Sequence, residues 1–468
     1  MSPNAMTQTA NTTSRNPGKA QLLRQKAMHL EQEMLGAHFT NLCLSARNTD
    51  TAAPVRDKSM LQILKGIAAN TGGEPFSLRI PLSEQDDSAF TAYFPPCPEN
   101  GEAGKGDILL ISHEFSRTGA PVVIADAARE LKRQGFFVTV ASPKDGPLRK
   151  TLLEQGILVL VDEELLQGLW TPIDPAVQSR WVLDKLIGSF DLSILCTAVL
   201  HNVVSRYNHT NIPMVWWMHE GHESLRPLSR FMPRELSENV KVYCGGRYVQ
   251  ERLATYGLYY PSALFNYGVT DLATPGRQAA EQQTVGRRIV FAVVGALCRR
   301  KGQDILIEAI KRLPFRYLER AEFLFVGGPH EPETVDLVQD FCKYWPNARL
   351  ITEISHDALF ALYSQIDCIV APSRDDPLPV VLAEGMMLSK ICLCSDNVGT
   401  AYYIEDGESG FVFENENTVQ LAEKLATIID RFDALAPMRA NSRKIYETVF
   451  SNDIFINALL EIVQKNIR

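Results

Sequence analysis

Two series of short, almost uninterrupted apolar runs, each run separated from the next by a segment of helix length, constrain this chain more than any other feature. The first comprises DILLIS from Asp107, FFVTVAS after Gly135, ILVLV (157–161), LSILC (192–196), PMVWWM (213–218), VKVYC (240–244) and ALFNY (263–267). The second comprises RIVFAVVG, EFLFVGG, ARLIT, DCIVAPS and KICLCS. A strand that is apolar on both faces must be covered on both, and strands that alternate with helices pair in parallel. The pattern predicts an α/β chain of two Rossmann-like, doubly wound parallel-sheet domains in tandem. The polar stretch TDLATPGRQAAEQQTVG (270–286) breaks the rhythm and reads as the linker.

On this reading residues 106–275 form the first domain and 276–450 the second, and 451–468 is a C-terminal helix packing back toward the first. Residues 1–18 are polar and turn-rich, a disordered tail, and 19–105 form an N-terminal extension without an assigned role. Ligands of open parallel sheets bind outside the carboxyl ends of the strands, so the cleft between the domains is the expected site.

Charge removes one class of partner. The 468 residues carry 47 basic and 55 acidic side chains, a net charge of −8, which offers no general attraction to a nucleic-acid backbone. No apolar run approaches the roughly 18–20 residues that span a bilayer, and no signal-like segment opens the chain. A cytoplasmic protein is expected, with peripheral contact at the inner membrane face compatible with the sequence. The nine cysteines are scattered through strand-like runs and read as reduced core residues.

The segment most suggestive of chemistry is APSRDDPLPVVLAEG (371–385), which leaves a buried strand, turns through prolines and enters a helix. Asp376 at the helix entrance and Glu384 two turns along could accept hydrogen bonds from the hydroxyls of an extended sugar or ribose ligand. Pro377 and Pro379 suit a helix start, whose free N–H groups favour an anion. Taken alone, this spacing is better explained by a capping aspartate and a solvated glutamate. It gains weight from GALCRRKG (295–302), where Arg299, Arg300 and Lys301 follow a strand of the same half and could neutralise a pyrophosphate.

In the first half, SHEFSRTGAP (112–121) places Thr118, Gly119 and Ala120 in a loop suited to phosphate or sugar. WWMHEGHE (216–223) brings His219 to the end of a buried strand, where it can bond a substrate hydroxyl or serve as a core histidine. His219 and His222 fall short of the HExxH spacing, and no metal is expected. Walker and GxGxxG loops are absent, against ATP hydrolysis and dinucleotide binding.

SHEFSRTGAP, SPKDGPL (142–148), WWMHE, GALCRRKGQDILIEAI, DCIVAPSRDDPLPVVLAEGM and SDNVGTAYYIEDGESGFVF (395–413), in that order, resemble the retaining glycosyltransferases of family 4, which have the GT-B fold. The resemblance covers roughly Asp107 to Arg468. It implies a metal-independent hexosyltransferase without a cofactor, taking a nucleotide-sugar donor and a carbohydrate or lipid-linked acceptor in polysaccharide assembly. Gly295, Arg300 and Lys301 would hold the donor diphosphate, Glu384 the ribose and Asp376 a sugar hydroxyl, with Leu378, Pro379 and Val380 lining the phosphate loop. Gly119 and His219 would face them from the acceptor domain. Two positions depart from the family's pattern: Asp376 stands where the first acid of E-x7-E is usual, and Ala296 where an arginine is usual, a role Arg300 can take. Two other readings remain: a catalytically weakened binding subunit of the same fold, and a nucleotide-sugar epimerase or sugar phosphorylase. As cleft residues, Lys301 and Glu384 are expected to matter more for activity than for stability.

Overall fold

The computed structural model describes residues 33–41 except 35, 58–81 except 70, 72 and 73, 89–96, 104–166 except 118, 169–170, 182–273 and 287–467 except 353. The tail 1–18, the first part of the 19–105 extension and most of the linker 270–286 lie outside them.

The apolar runs become the strands of two sheets. In the first domain these are β3 (Asp107–Ile111), β4 (Phe137–Ser142), β5 (Leu158–Asp162), β6 (Leu192–Cys196), β7 (Met214–Met218), β8 (Val240–Cys244) and β9 (Ser262–Leu264), all paired in parallel. In the second they are β10 (Ile289–Val294), β11 (Ala321–Val326), β12 (Ala348–Ile351), β13 (Cys368–Ala371), β14 (Ile391–Ser395) and β15 (Phe411–Phe413), in the spatial order β12-β11-β10-β13-β14-β15. Every residue of β3, β6, β7, β10 and β14 is buried, which requires helices on both faces of each sheet. The fold is α/β with two Rossmann-like domains, as the apolar rhythm predicts.

The segment 19–105 departs from the expectation of a separate extension. Within it, β1 (Phe76–Pro81) and β2 (Ala89–Phe94) form an antiparallel hairpin, and β2 pairs antiparallel with β5. The first sheet therefore runs β1-β2-β5-β4-β3-β6-β7-β8-β9. Helix Ser59–Ala69 buries Met60, Leu61, Leu64 and Ile67 in the same core as Phe90 and Phe94. Its Lys58 and Lys65 pair with Asp107, at the start of β3, and Lys58 also with Asp191. The described part of the segment is thus structurally part of the first domain. Two short strands on either side of an acid-rich stretch of sequence carry too little periodicity to declare themselves in a Pro- and Gly-rich region.

The chain crosses back at its end. A π-turn (Tyr446–Phe450) leads from helix Ala436–Ile445 into helix Asn452–Asn466, which contacts helix Gly119–Arg133 of the first domain. Phe455 of the final helix stacks on Phe265 at 5.5 Å and on Trp217 at 6.1 Å. Such pairs contribute roughly 0.5–1.5 kcal/mol each beyond the area they bury. One apolar cluster consequently runs through both domains. The described cysteines are all unpaired, six buried and Cys342 half-buried.

Candidate active site

Among the parallel strands of each sheet the order reverses once, between β3 and β6 in the first and between β10 and β13 in the second. Loops leaving neighbouring strands in opposite directions open a crevice at that point. The two crevices meet in one cleft of about 380 Å³. His113, Gly119, Ala120, Thr197, His219 and Glu220 line it from the first domain, and Arg300, Asp375, Asp376, Leu378 and Val380 from the second.

On the second domain's side, two loops are stapled together. Arg374 donates to the carbonyl of Arg299 at 2.7 Å, and its own N–H donates to the carbonyl of Arg300 at 2.9 Å. Arg300 returns a bond to the carbonyl of Asp375 at 2.7 Å, and Lys301 Nζ meets Asp376 Oδ2 at 2.6 Å. Arg374 is itself held by both oxygens of Asp304, at 2.8 and 2.7 Å, and by Glu416 at 2.6 Å. The Asp304 bond leads the causes that raise the Arg374 guanidinium further above its ordinary value. Gly302 makes the approach possible: it adopts φ +71°, and a Cβ there would stand 1.9 Å from the Pro372 carbonyl oxygen.

The expected residues divide. Arg300, Asp376, Leu378 and Val380 line the cleft directly, while Lys301 reaches it through Asp376. Gly295 follows β10 and lies against the Lys301 stem. Pro379 precedes helix Val380–Met387, whose first N–H groups have no acceptor within the helix, and the Leu378 carbonyl accepts the Tyr267 hydroxyl at 2.9 Å. Glu384 lies in that helix, 7 % exposed, and its Oε2 accepts the Tyr363 hydroxyl at 2.5 Å. It is not among the cleft-lining residues. Both Lys301 and Glu384 thus have buried partners, so neither is a cleft residue free of structural duty. At Ala296, where the family's arginine is usual, the carbonyl accepts from Gln303 at 2.9 Å, and Arg300 is the nearby cation that contacts the acidic loop.

On the first domain's side, Gly119 and Ala120 open helix Gly119–Arg133, and nothing stands within 4 Å of where a Gly119 Cβ would be. Thr118 lies outside the described residues. His219 is half-buried with its Nε2 enclosed and unbonded, and the neighbouring His113 Nδ1 is likewise enclosed and unbonded. Burial, with a smaller contribution from His113, pushes the His219 pKa down to about 3, so its ring is neutral. Burial pushes Glu220 up to about 6 against the N–H groups of Ala198 and His219 that it accepts. His222 Nδ1 is engaged by the Tyr256 hydroxyl at 2.6 Å and does not converge with His219. Thr197, at the end of β6, has φ +95°, a conformation costing on the order of 1–3 kcal/mol in a non-glycine residue. It is held there by its N–H to the Trp217 carbonyl and by the Trp216 indole on its own carbonyl, both at 2.8 Å.

The sequence reading did not single out Asp375, Tyr363, His113, Glu220 or Thr197. Glu220 and His113 stand inside motifs it quoted, whereas Tyr363 and Thr197 carry no local signal.

Two family models match the chain: "Glycosyl transferases group 1" over residues 277–445, and "Glycosyl-transferase family 4" over residues 104–232. The two segments divide between the two sheets. The chain belongs to the family 4 glycosyltransferases of GT-B fold. Among similar proteins, the alpha-D-kanosaminyltransferase of Streptomyces kanamyceticus is 26 % identical over 185 residues, 39 % of this chain and 47 % of the relative. The GDP-mannose-dependent alpha-(1-6)-phosphatidylinositol monomannoside mannosyltransferase of Mycobacterium tuberculosis is 23 % identical over 243 residues, 48 % of this chain and 62 % of the relative. The chain spans about half the length of the curated relatives it matches. The GT-B fold is shared with the crystal structure of Anabaena HepE in complex with UDP-glucose, with a TM-score of 0.61 at 18 % identity, over 77 % of this chain and 100 % of that one. Among the described residues, no helix is long and apolar enough to cross a membrane.

Proposed function

We propose that this family 4 chain transfers a hexosyl group from a nucleotide-diphosphate sugar to a hydroxyl acceptor, with retention of anomeric configuration and without a metal ion. The carrying observation is the 2.6 Å Lys301–Asp376 contact, with Arg300 beside it, placed opposite His219 across the cleft. As the glycosidic bond breaks, negative charge develops on the leaving diphosphate. The Lys301 ammonium, the Arg300 guanidinium and the N–H groups that open helix Val380–Met387 are fixed in place to receive it.

Asp376 accepts hydrogen bonds from donor-sugar hydroxyls in this scheme, and Glu384 from the ribose. Neutral His219, on the cleft wall, bonds a substrate hydroxyl without competing for the diphosphate's charge. No protein nucleophile is required: a diphosphate oxygen takes the acceptor's proton on the face from which the leaving group departs. Support for a nucleotide-sugar donor comes from the GDP-mannose-dependent relative and from the complex of HepE with UDP-glucose. We assign the acceptor to carbohydrate or lipid-linked carbohydrate in bacterial polysaccharide or glycoconjugate assembly, made in the cytoplasm or at the inner membrane face.

Purified protein with EDTA present, titrated with UDP-, GDP-, TDP- and ADP-sugars, should gain thermal stability with one donor class and release its nucleotide slowly. The anomeric configuration of the product, read by NMR, should match that of the donor. An inverted product, or turnover restored only by a divalent cation, would sink the mechanism. Folded protein that ignores every donor would sink the function.

A further inference from the structure

The loop that carries Asp376 also carries Asp375, and the two adjacent carboxylates engage different domains. Asp375 is 4 % exposed. Its Oδ1 accepts the N–H of His222 at 3.0 Å and the hydroxyl of Tyr248 at 2.7 Å, and its Oδ2 accepts the N–H of Glu223 at 2.8 Å. All three donors belong to the first domain, and the acceptor belongs to the second.

The sequence of the first domain leaves room for that carboxylate. Helix His222–Leu228 starts after Gly221, which has no side chain with which to satisfy the first N–H groups. A Cβ at Gly221 would stand 2.1 Å from Asp375 Oδ1. The helix is therefore capped from across the cleft, by charge-assisted bonds roughly twice as strong as neutral ones.

The same dipeptide meets the cations on its other side: the Asp375 carbonyl accepts from Arg300, and Asp376 pairs with Lys301. Asp376 is further held by its carbonyl, which accepts the Gly399 N–H at 2.8 Å. Residues 375–376 are thus a joint where the diphosphate-binding cations, the sugar-binding acid and the acceptor-side helix are tied within two residues.

We propose that Asp375 is a positioning residue that joins the two domains and sets where Asp376 and the cations stand relative to His219. The effect on turnover rests on the transferase reading, and the structural joint does not. Because the three bonds are made between domains, their loss separates the cleft faces. The nucleotide, held by second-domain groups, still binds.

The test compares the full-length wild type with Asp375→Ala and with Gly221→Ala, which leaves the carboxylate intact but drives it away. Gly221 has φ −88°, so alanine there brings no backbone strain. The radius of gyration by small-angle scattering should increase in both variants, and the amides of His222 and Glu223 should exchange faster. UDP or GDP should bind as it does to the wild type, while kcat falls on the order of 10- to 100-fold through misplacement of the reacting groups. Asp375→Asn, which keeps the shape but loses the charge, should fall between. Unchanged scattering and exchange in both variants overturn the joint. Opened domains with unchanged kcat overturn the positioning role, leaving Asp375 a helix cap only. A wild type that binds none of UDP, GDP, TDP and ADP refutes the transferase reading, and scattering with exchange then decides the joint alone.

Discussion

The two faces of the cleft are built on opposite principles. On the second domain's face, charged groups are paired with each other: Arg374 with Asp304 and Glu416, and Lys301 with Asp376. On the first domain's face, His113 Nδ1 and His219 Nε2 are enclosed and unbonded, and burial raises the Glu220 pKa to about 6. A face of paired charges is preorganised for one kind of ligand, a diphosphate with hydroxyls at either end. A face that carries the neutral His219 imidazole suits hydroxyls whose arrangement differs from one acceptor to the next.

The sharpest way to break this contrast is Lys301→Ala. If the paired face stabilises the leaving diphosphate, turnover should fall on the order of 10²–10³-fold. Melting should also drop, because Asp376, 6 % exposed, loses its partner. A variant that keeps wild-type turnover would remove the electrostatic role altogether.

Acid titration probes the other face. The folded His219 pKa of about 3 lies below the ordinary 6.5, so the unfolded chain takes up this proton first and stability falls as pH drops below about 6.5. The contribution lost between pH 7 and 5 is about 2 kcal/mol. Glu220, raised to about 6, acts in the opposite sense as pH falls from about 6 to 4.5. The comparison of wild type with His219→Gln isolates the histidine: the variant's unfolding free energy should depend less steeply on pH over this range. Parallel profiles would show that His219 is not buried neutral.

Arg374→Ala should loosen the second face without removing a cation from the cleft. Since Asp304 and Glu416 are part-exposed, the expected cost is about 1–2 kcal/mol. Melting should fall by about 2–4 °C per kcal/mol. Glu384→Gln is the mildest of the set. Its amide can still bond Tyr363, so stability should change little, while the loss of a charged acceptor for ribose hydroxyls lowers kcat/KM by about ten-fold, or 1.4 kcal/mol. A larger fall in melting than in kcat/KM would recast Glu384 as a core residue.

Much of the fold was legible because burial on both faces leaves a one-dimensional trace. DILLI and MVWWM can be read as central strands without knowing their neighbours. The hairpin of β1 and β2 was not legible, since FSLRIP and AFTAYF become sheet edge only by finding β5 more than 60 residues away. In the site, Arg300 and Asp376 were readable from their place after buried strands, and Leu378 and Val380 from the family resemblance; the structure sets all four on one cleft wall. Asp375 was not readable. In RDDP nothing local distinguishes the acid that pairs with Lys301 from the one that reaches His222 and Tyr248. Thr197 is similarly silent, because its strained conformation is imposed by Trp216 and Trp217 rather than by its own preference.

The sequence by itself determined two parallel sheets in series and the loops at their carboxyl edges, because strand burial and helix-start chemistry are local properties that survive in the order of residues. Only the tertiary structure decided which groups pair across those loops. The partner of an acid or an imidazole is chosen by distances of about 3 Å between chain segments far apart in sequence, and no periodicity records that choice.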